Sequence, residues 1–203
     1  MARQPYDTII FDLGGVLIDW NPRHLYQKIF STETEIDHFL TEICPYSWNL
    51  EQDAGKSLAQ ATEERVALFP EWEVPIRAYY GRWEEMLGGA IMGTVDLLES
   101  LLAAKRYKIL ALTNWSLETY PIPLARHEFL SWFEGVVISG EEKCAKPDPR
   151  IYQILFDRYQ VDPQKAIFID DNAHNVEAGK KAGLTSIQFL SPMQLREDLS
   201  DLL

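Results

Sequence analysis

Apolar positions fall into two rhythms along the chain. Thr8, Ile9, Ile10 and Phe11 form a short, almost wholly apolar run that ends on Asp12, the pattern of a strand buried on both faces of a parallel sheet. From Asn21 to about Leu87 helix-length segments dominate. In "STETEIDHFLTEI" the positions Ile36, Phe39, Leu40 and Ile43 share one face, with Ser31 or Thr32 as the cap. "SLAQATEERVALF" and "IRAYYGRWEEML" read the same way, with Pro70 and Pro75 between them. This stretch holds no convincing strand.

After Gly88 and Gly89 the two rhythms alternate. The segments "KILALT", "GVVIS", "KAIFID" and "TSIQFL" read as strands. "TVDLLESLLAAKR", "PRIYQILFDRYQ", "AHNVEAGKKAG" and "SPMQLREDLSDLL" read as helices, and "LETYPIPLARHEF" as a poorer one interrupted by Pro121 and Pro123. Strands alternating with helices of about ten residues imply right-handed βαβ units. The predicted fold is therefore α/β, a Rossmann-like doubly wound parallel sheet. Its core comprises residues 1–17 and 90–203, and a helical cap is inserted after the first strand, over residues 18–89. Internal repeats and low-complexity segments are absent.

Charge narrows the function. The 203 residues carry a formal net charge of −12, which argues against nucleic acid as a partner because a phosphate backbone needs a basic face. An anionic substrate would need local positive charge, including a metal ion. The segment "MARQPYDTII" has no long apolar run and nothing elsewhere approaches a membrane span. Cys44 and Cys144 have neither metal-ligand spacing nor a disulfide framework. A reduced, cytoplasmic protein is expected, with no nucleic-acid or membrane partner; its oligomeric state is unknown from the sequence.

In open α/β sheets ligands bind outside the carboxyl ends of the strands, and four such ends are polar here. The first strand ends in Asp12 and the second core strand in Thr113 and Asn114. The third leads into "GEEKCAKPDP" with Lys146, and the fourth ends in Asp170 and Asp171. Each alone has a plain reading: an Asx-turn, a helix cap, a solvated lysine before a proline, N-caps. Together they say more. Three carboxylates in one crevice repel each other and shift upward in pKa unless a cation sits among them. Hard oxygen ligands of this kind suit Mg²⁺, and a lysine with a Thr/Asn pair supplies donors for phosphate oxygens.

With Asp12 in "FDLGGV", Thr113 in "ALTN", Lys146 in "KPDPRIY" and the acidic pair in "FIDDNAHN", the whole chain resembles the haloacid dehalogenase (HAD) superfamily of hydrolases. The similarity is to helical-cap, subfamily IA-like phosphatases. Receiver domains also combine Asp, Thr and Lys, but they carry the acidic pair at the first strand and have no cap. The resemblance implies that Asp12 is the nucleophile and forms an aspartyl-phosphate. It implies Mg²⁺ held by Asp12, the Gly14 carbonyl and Asp171, with Asp170 as a further ligand or a partner behind them. Thr113 and the Asn114 backbone would hold phosphoryl oxygens. Lys146 would neutralise charge between nucleophile and phosphate; the neighbouring Lys143 is the weaker candidate. Gly14 and Gly15 would let the chain turn tightly beside metal and phosphate.

The implied activity is Mg²⁺-dependent hydrolysis of a small phosphorylated metabolite, sugar phosphates among the candidates. One departure matters. Phosphatases of the family usually carry a second Asp two residues after the nucleophile, as acid for the leaving group and base for the water; here that position is Gly14. Loss of a general acid–base costs about 10²–10⁴ in rate, so good leaving groups should outperform alkyl phosphates and the aspartyl-phosphate should persist. Two rival readings remain. A metal-independent 2-haloacid dehalogenase uses the same Asp but lacks the acidic pair of the fourth motif. A non-catalytic binder of phosphorylated ligands has no need of a nucleophile.

In the cap, "SWNLEQDAGKS" places Trp48, Glu51, Asp53 and Gly55 in a short polar stretch between helices. It is either a loop that closes over the substrate and supplies the missing acid, or a solvated connection. Arg23 either faces the substrate or serves a hinge or capping role with Asp19 and Asn21. Trp115 either lines the pocket or packs under the cap. His24, His38, His127 and His174 form no cluster, and His174 reads as a helix-start residue.

Overall fold

The computed structural model describes residues 6–203, so residues 1–5 of the expected core lie outside the described residues. Seven strands are present among them: β1 (Thr8–Phe11), β2 (Ile18–Trp20), β3 (Leu87–Ala90), β4 (Lys108–Thr113), β5 (Gly135–Ile138), β6 (Ala166–Asp170) and β7 (Thr185–Gln188). Five of them form one sheet in the order β5-β4-β1-β6-β7, and every pairing in it is parallel. β1 is central, with Ile10 opposite Leu110 on one side and Phe168 on the other. That position explains why Thr8 to Phe11 show no polar alternation: the sheet is covered on both faces.

Alternate residues of the strands serve opposite layers. Ile9, Phe11, Ile109, Ala111, Ile167 and Ile169 join the cluster that extends toward the helix Met92–Ala104 and the cap. Ile10, Leu110, Leu112 and Phe168 pack instead with Ile151, Tyr152 and Leu155 of the helix Pro149–Tyr159. Each fully buried Ile, Leu or Phe among them contributes about 1.5–3 kcal/mol, so the two layers hold the strand ends of the site in place.

The chain leaves the sheet through β2 and returns through β3, which pair antiparallel as a two-stranded ribbon. Neither strand is apparent from the sequence. One has three residues and the other is "LGGA", too short and glycine-rich to show a period of two. Between them lie the helices Arg23–Tyr26, Glu33–His38, Tyr46–Asp53, Leu58–Leu68 and Glu73–Gly81. Thr32 caps the second of these in a reciprocal capping box with Glu35. An aromatic cluster joins them, with ring centroids 4.5 Å apart for Tyr26 and Phe39 and 5.1 Å for Trp48 and Tyr79.

Three local expectations are corrected. "SWNLEQD" is a helix and not a polar connection. Its inward face carries the amides of Asn49 and Gln52, whose oxygens accept from the Tyr80 hydroxyl at 3.0 and 2.8 Å, and apolar periodicity does not detect such a face. The helix after the acidic pair is capped by Asn172 and not by either acid. Lys146 is not a solvated lysine beside a helix start but fully buried, while the helix itself begins at Pro149, as "PRIYQILFDRYQ" predicts, with Asp148 as its cap. Among the described residues no helix is long and apolar enough to cross a membrane.

Candidate active site

The polar strand ends converge at the carboxyl end of the sheet, above β4, β1 and β6. The backbone N–H of Asp12 donates to Ile169 O at 2.8 Å, which extends the ladder one residue past β1. Its Oδ1 accepts from Leu13 N at 2.7 Å, and its Oδ2 lies 2.9 Å from the Lys146 ammonium. Lys146 is fully buried. Its Nζ also donates to Asp170 Oδ2 at 2.7 Å and to Leu112 O at 2.8 Å, so all three of its N–H bonds have acceptors.

Asp170 is committed elsewhere as well. Its Oδ1 accepts from Asn172 N at 2.8 Å and from Asn175 Nδ2 at 3.1 Å. With Lys146 on the other oxygen, this carboxylate is the anchor of the lysine more than an open ligand. Asp171 points its carboxyl at the cavity instead.

Burial pushes the Asp12 carboxyl up; Lys146 opposes the shift, and Asp170 and Asp171 reinforce it. Burial alone would lower Lys146, but the charges of Asp12 and Asp170 outweigh it and hold the ammonium above its ordinary range. Shielding and then the Asp170 charge raise Asp171. When ionised, three carboxylates against one ammonium leave two negative charges in a small space. Ligand oxygens of Asp12, Asp170 and Asp171 lie within 4.8 Å of one another. This donor set fits a hard divalent cation such as Mg²⁺, which takes one or two carboxylates and keeps waters.

The two glycines have different reasons. Gly15 has φ +74°, and a Cβ there would lie 2.3 Å from Asp171 Oδ2, so any side chain would displace that carboxylate. Gly14 has room: its Cβ would meet nothing nearer than Trp115 Cζ3 at 3.8 Å. The indole thus lies beside the place where a side chain at position 14 would begin.

Thr113 ends β4 fully buried, with its Oγ1 lacking a hydrogen-bond partner. An orphaned buried hydroxyl is costly and stands ready for an acceptor. Asn114 lines the cavity, and its side chain, not only its backbone, is used. The amide clamps Lys146, donating to its O at 2.9 Å and accepting from its N at 2.8 Å.

A cavity of about 320 Å³ opens above Asp12, Gly14, Gly15 and Asp171. Its walls carry the aromatic rings of Trp20, Tyr46, Tyr80, Trp83 and Trp115, the amides of Asn21 and Asn49, and Asp53. None of the described lysines, arginines or histidines lines it. Asp53 and Trp115 are thus brought to the cavity, and Glu51 and Arg23 are not. Glu51 stands two residues from Asp53 on the same helix, hence on another face, and pairs with Lys56 at 2.9 Å. Arg23 pairs with Glu33 at 2.7 Å and with Asp37 on the exterior, while Asn21 Oδ1 accepts from its backbone N–H at 3.0 Å. Lys143 and His174 are exposed and lie outside the cavity.

Two residues that sequence reasoning missed hold the site together. Asn175 is buried against Asp170; an asparagine one turn into the helix behind an acidic pair was its only signal. Ser139, fully buried after β5, accepts from Trp115 N at 2.8 Å and donates to Asp53 O at 2.5 Å. It fastens the cavity's indole and its cap-side acid to the sheet, a contact across 86 residues of sequence that no local pattern announces.

Comparison with known proteins agrees with this geometry. A family model described as haloacid dehalogenase-like hydrolase matches residues 6–183. A phosphorylated carbohydrates phosphatase of Thermotoga maritima is 26% identical over 191 residues, covering 89% of this chain and 83% of that one. A pyrophosphatase, PpaX, of Bacillus velezensis is 27% identical, covering 100% and 97%. In fold the chain is similar to a HAD family enzyme of Bacteroides thetaiotaomicron, with TM-score 0.71 at 21% identity over 97% of this chain and 99% of that one. That enzyme has also been solved in complex with magnesium and inorganic phosphate.

Proposed function

The chain belongs to the haloacid dehalogenase-like hydrolases, and from that premise we propose that it is a magnesium-dependent phosphatase working through an aspartyl-phosphate on Asp12. The observation that carries this reading is the buried Asp12–Lys146–Asp170 chain, at 2.9 and 2.7 Å, beside the cavity-facing Asp171. A carboxylate fixed at Oδ1 by Leu13 N presents its other oxygen in one direction, as a nucleophile must. Lys146 holds a positive charge where attacking carboxylate and phosphoryl oxygens meet, and Asp170 and the Asn114 clamp keep it there. Thr113, with its unpartnered hydroxyl, and the Asn114 backbone are the proposed donors to phosphoryl oxygens. Asp12, the Gly14 carbonyl and Asp171 are the proposed holders of Mg²⁺, with Asp170 behind them. Bound there, the ion supplies neutralisation of the carboxylate cluster and of the phosphate.

The walls favour a small phosphorylated metabolite whose remainder is uncharged and hydroxyl-bearing, such as a sugar phosphate. Aromatic faces with amide edges suit hydroxyl-bearing rings. A pyrophosphate or carboxylate-bearing substrate would bring a second anion to a wall that offers Asp53 and, among the described residues, no cation. The test is phosphate release from a panel of sugar phosphates, p-nitrophenyl phosphate and pyrophosphate, with Mg²⁺ and with EDTA. Release that needs Mg²⁺, vanishes in Asp12→Asn and favours sugar phosphates over pyrophosphate is the expected result. Halide release from 2-haloacids, undiminished by EDTA, would replace the reading by dehalogenation.

A further inference from the structure

We propose that Asp53, a cap-side carboxyl in the wall of the cavity, supplies the acid and base that Gly14 cannot; the inference rests on the phosphatase reading above. Hydrolysis of an unactivated phosphate ester needs a proton for the departing alkoxide and an acceptor for the proton of the attacking water. Of the described ionisable side chains that line the cavity, Asp12 and Asp171 belong to the nucleophile and metal cluster, and the remainder are Tyr46, Tyr80 and Asp53. Shielding and the Asp53 charge raise Tyr46, and burial raises Tyr80 further, so both phenols are poor acids and their phenolate forms, the bases, are scarce near neutrality. Asp53 is the carboxyl that remains.

Its setting is that of a group held for use. Oδ2 accepts from Asn49 Nδ2 at 2.8 Å, and Asn49 is in turn fixed by the Tyr80 hydroxyl at 3.0 Å. The Asp53 carbonyl is tied to Ser139, and five residues further on Leu58 N donates to Glu118 of the core at 2.9 Å. The carboxyl is therefore registered to the segment Asn114–Ser116 that follows β4, and it lines the same cavity as Asp12. Burial pushes it up to about 7, against the opposing pull of the Ser116 backbone, Asn49 and Lys146. Besides Lys146, the titratable groups within reach of its charge are the phenols of Tyr46, Tyr79 and Tyr80. None of the three changes charge near neutral pH.

The chemistry balances in two steps. An Asp12 oxygen bonds to phosphorus as the bond from phosphorus to the leaving oxygen breaks, and protonated Asp53 gives its proton to that oxygen, releasing the alcohol. Asp53, now a carboxylate, takes a proton from water as the water oxygen bonds to phosphorus. The acyl–phosphate bond then breaks, Asp12 regains its carboxylate and inorganic phosphate leaves.

The experiment compares Asp53→Asn with the wild type on glycerol phosphate and p-nitrophenyl phosphate, both with Mg²⁺. A nitrophenolate departs without a proton, so kcat/KM for the aryl ester should stay near the wild-type value while that for glycerol phosphate falls about 10²–10⁴-fold. Because water activation is impaired as well, the variant should release a stoichiometric burst of nitrophenolate before a slow steady state. A Gly14→Asp change in the Asp53→Asn background should recover glycerol phosphate turnover. Equal losses on the two esters, or no loss on either, would overturn the role of Asp53 while leaving the phosphatase reading intact. Failure of the wild type to release phosphate from either ester would overturn both. A carboxyl-carbon NMR titration decides independently of turnover: the resonance missing in Asp53→Asn should move near pH 7, and movement near the ordinary carboxylate value of about 4 would contradict the proposal.

Discussion

Lys146 is the residue on which the site's electrostatics turn. It is buried with two carboxylates and a backbone carbonyl on its three protons, and its removal leaves Asp12 and Asp170 facing each other without a counter-charge. Breaking a buried ion pair from one side costs about 3–5 kcal/mol. Lys146→Met is therefore expected to lower unfolding stability by that order in chelator-treated protein, measured by urea denaturation. Part of the loss should return on adding Asp170→Asn, which removes the stranded carboxylate. Additive losses would show that the two side chains do not share one network. Asp12, Thr113, Lys146 and the acidic pair were legible in the sequence because each ends or follows a strand, and strand ends are where such a sheet binds ligands. Asn175 and Ser139 were not, because their partners are fixed only when distant elements meet.

At the scale of elements, the helix Tyr46–Asp53 links cap to chemistry. Its polar inward face hides it from apolar spacing, which places Glu51 and Asp53 together in one connection. Folding it as a helix separates them, one into the cavity wall and one into solvent. Ser139 is the bolt between this helix and the core. Ser139→Ala removes a hydroxyl that serves two groups at once, the Trp115 amide and the Asp53 carbonyl, and leaving buried polar groups unpaired costs about 1–3 kcal/mol. Thermal unfolding should report a loss of that size, and turnover of alkyl phosphates should fall more than turnover of aryl phosphates as Asp53 loosens. The ribbon of β2 and β3 was illegible for a plainer reason: pairs this short form where the chain's exit and return happen to lie side by side.

For the molecule as a whole, the cluster of raised carboxyls ties stability to pH. An Asp53 carboxyl raised to about 7 in the folded state, against about 4 in the unfolded chain, means that the folded protein binds more protons over that window. Stability from this group is complete below about pH 4 and is lost as pH rises through 7. Asp53→Asn should therefore match the wild type in melting temperature near pH 4, gain on it as pH rises to 7, and hold a constant advantage above. A variant equally stable or less stable throughout would show the carboxyl to be ordinary. The alternation of strand and helix made the doubly wound sheet legible from end to end, since a layered core imposes one pattern on every element. The cavity was less legible, because its walls combine residues of a long insertion with strand ends from both sides of it.

The most direct test is a rapid acid quench of the Mg²⁺-loaded protein with radiolabelled p-nitrophenyl phosphate, followed by peptide mapping. Turnover through Asp12 should leave acid-stable label on the peptide bearing it, absent from Asp12→Asn and from EDTA-treated protein, and more abundant in Asp53→Asn than in the wild type. Phosphate release at full rate with no label on Asp12 in any of these proteins would contradict it.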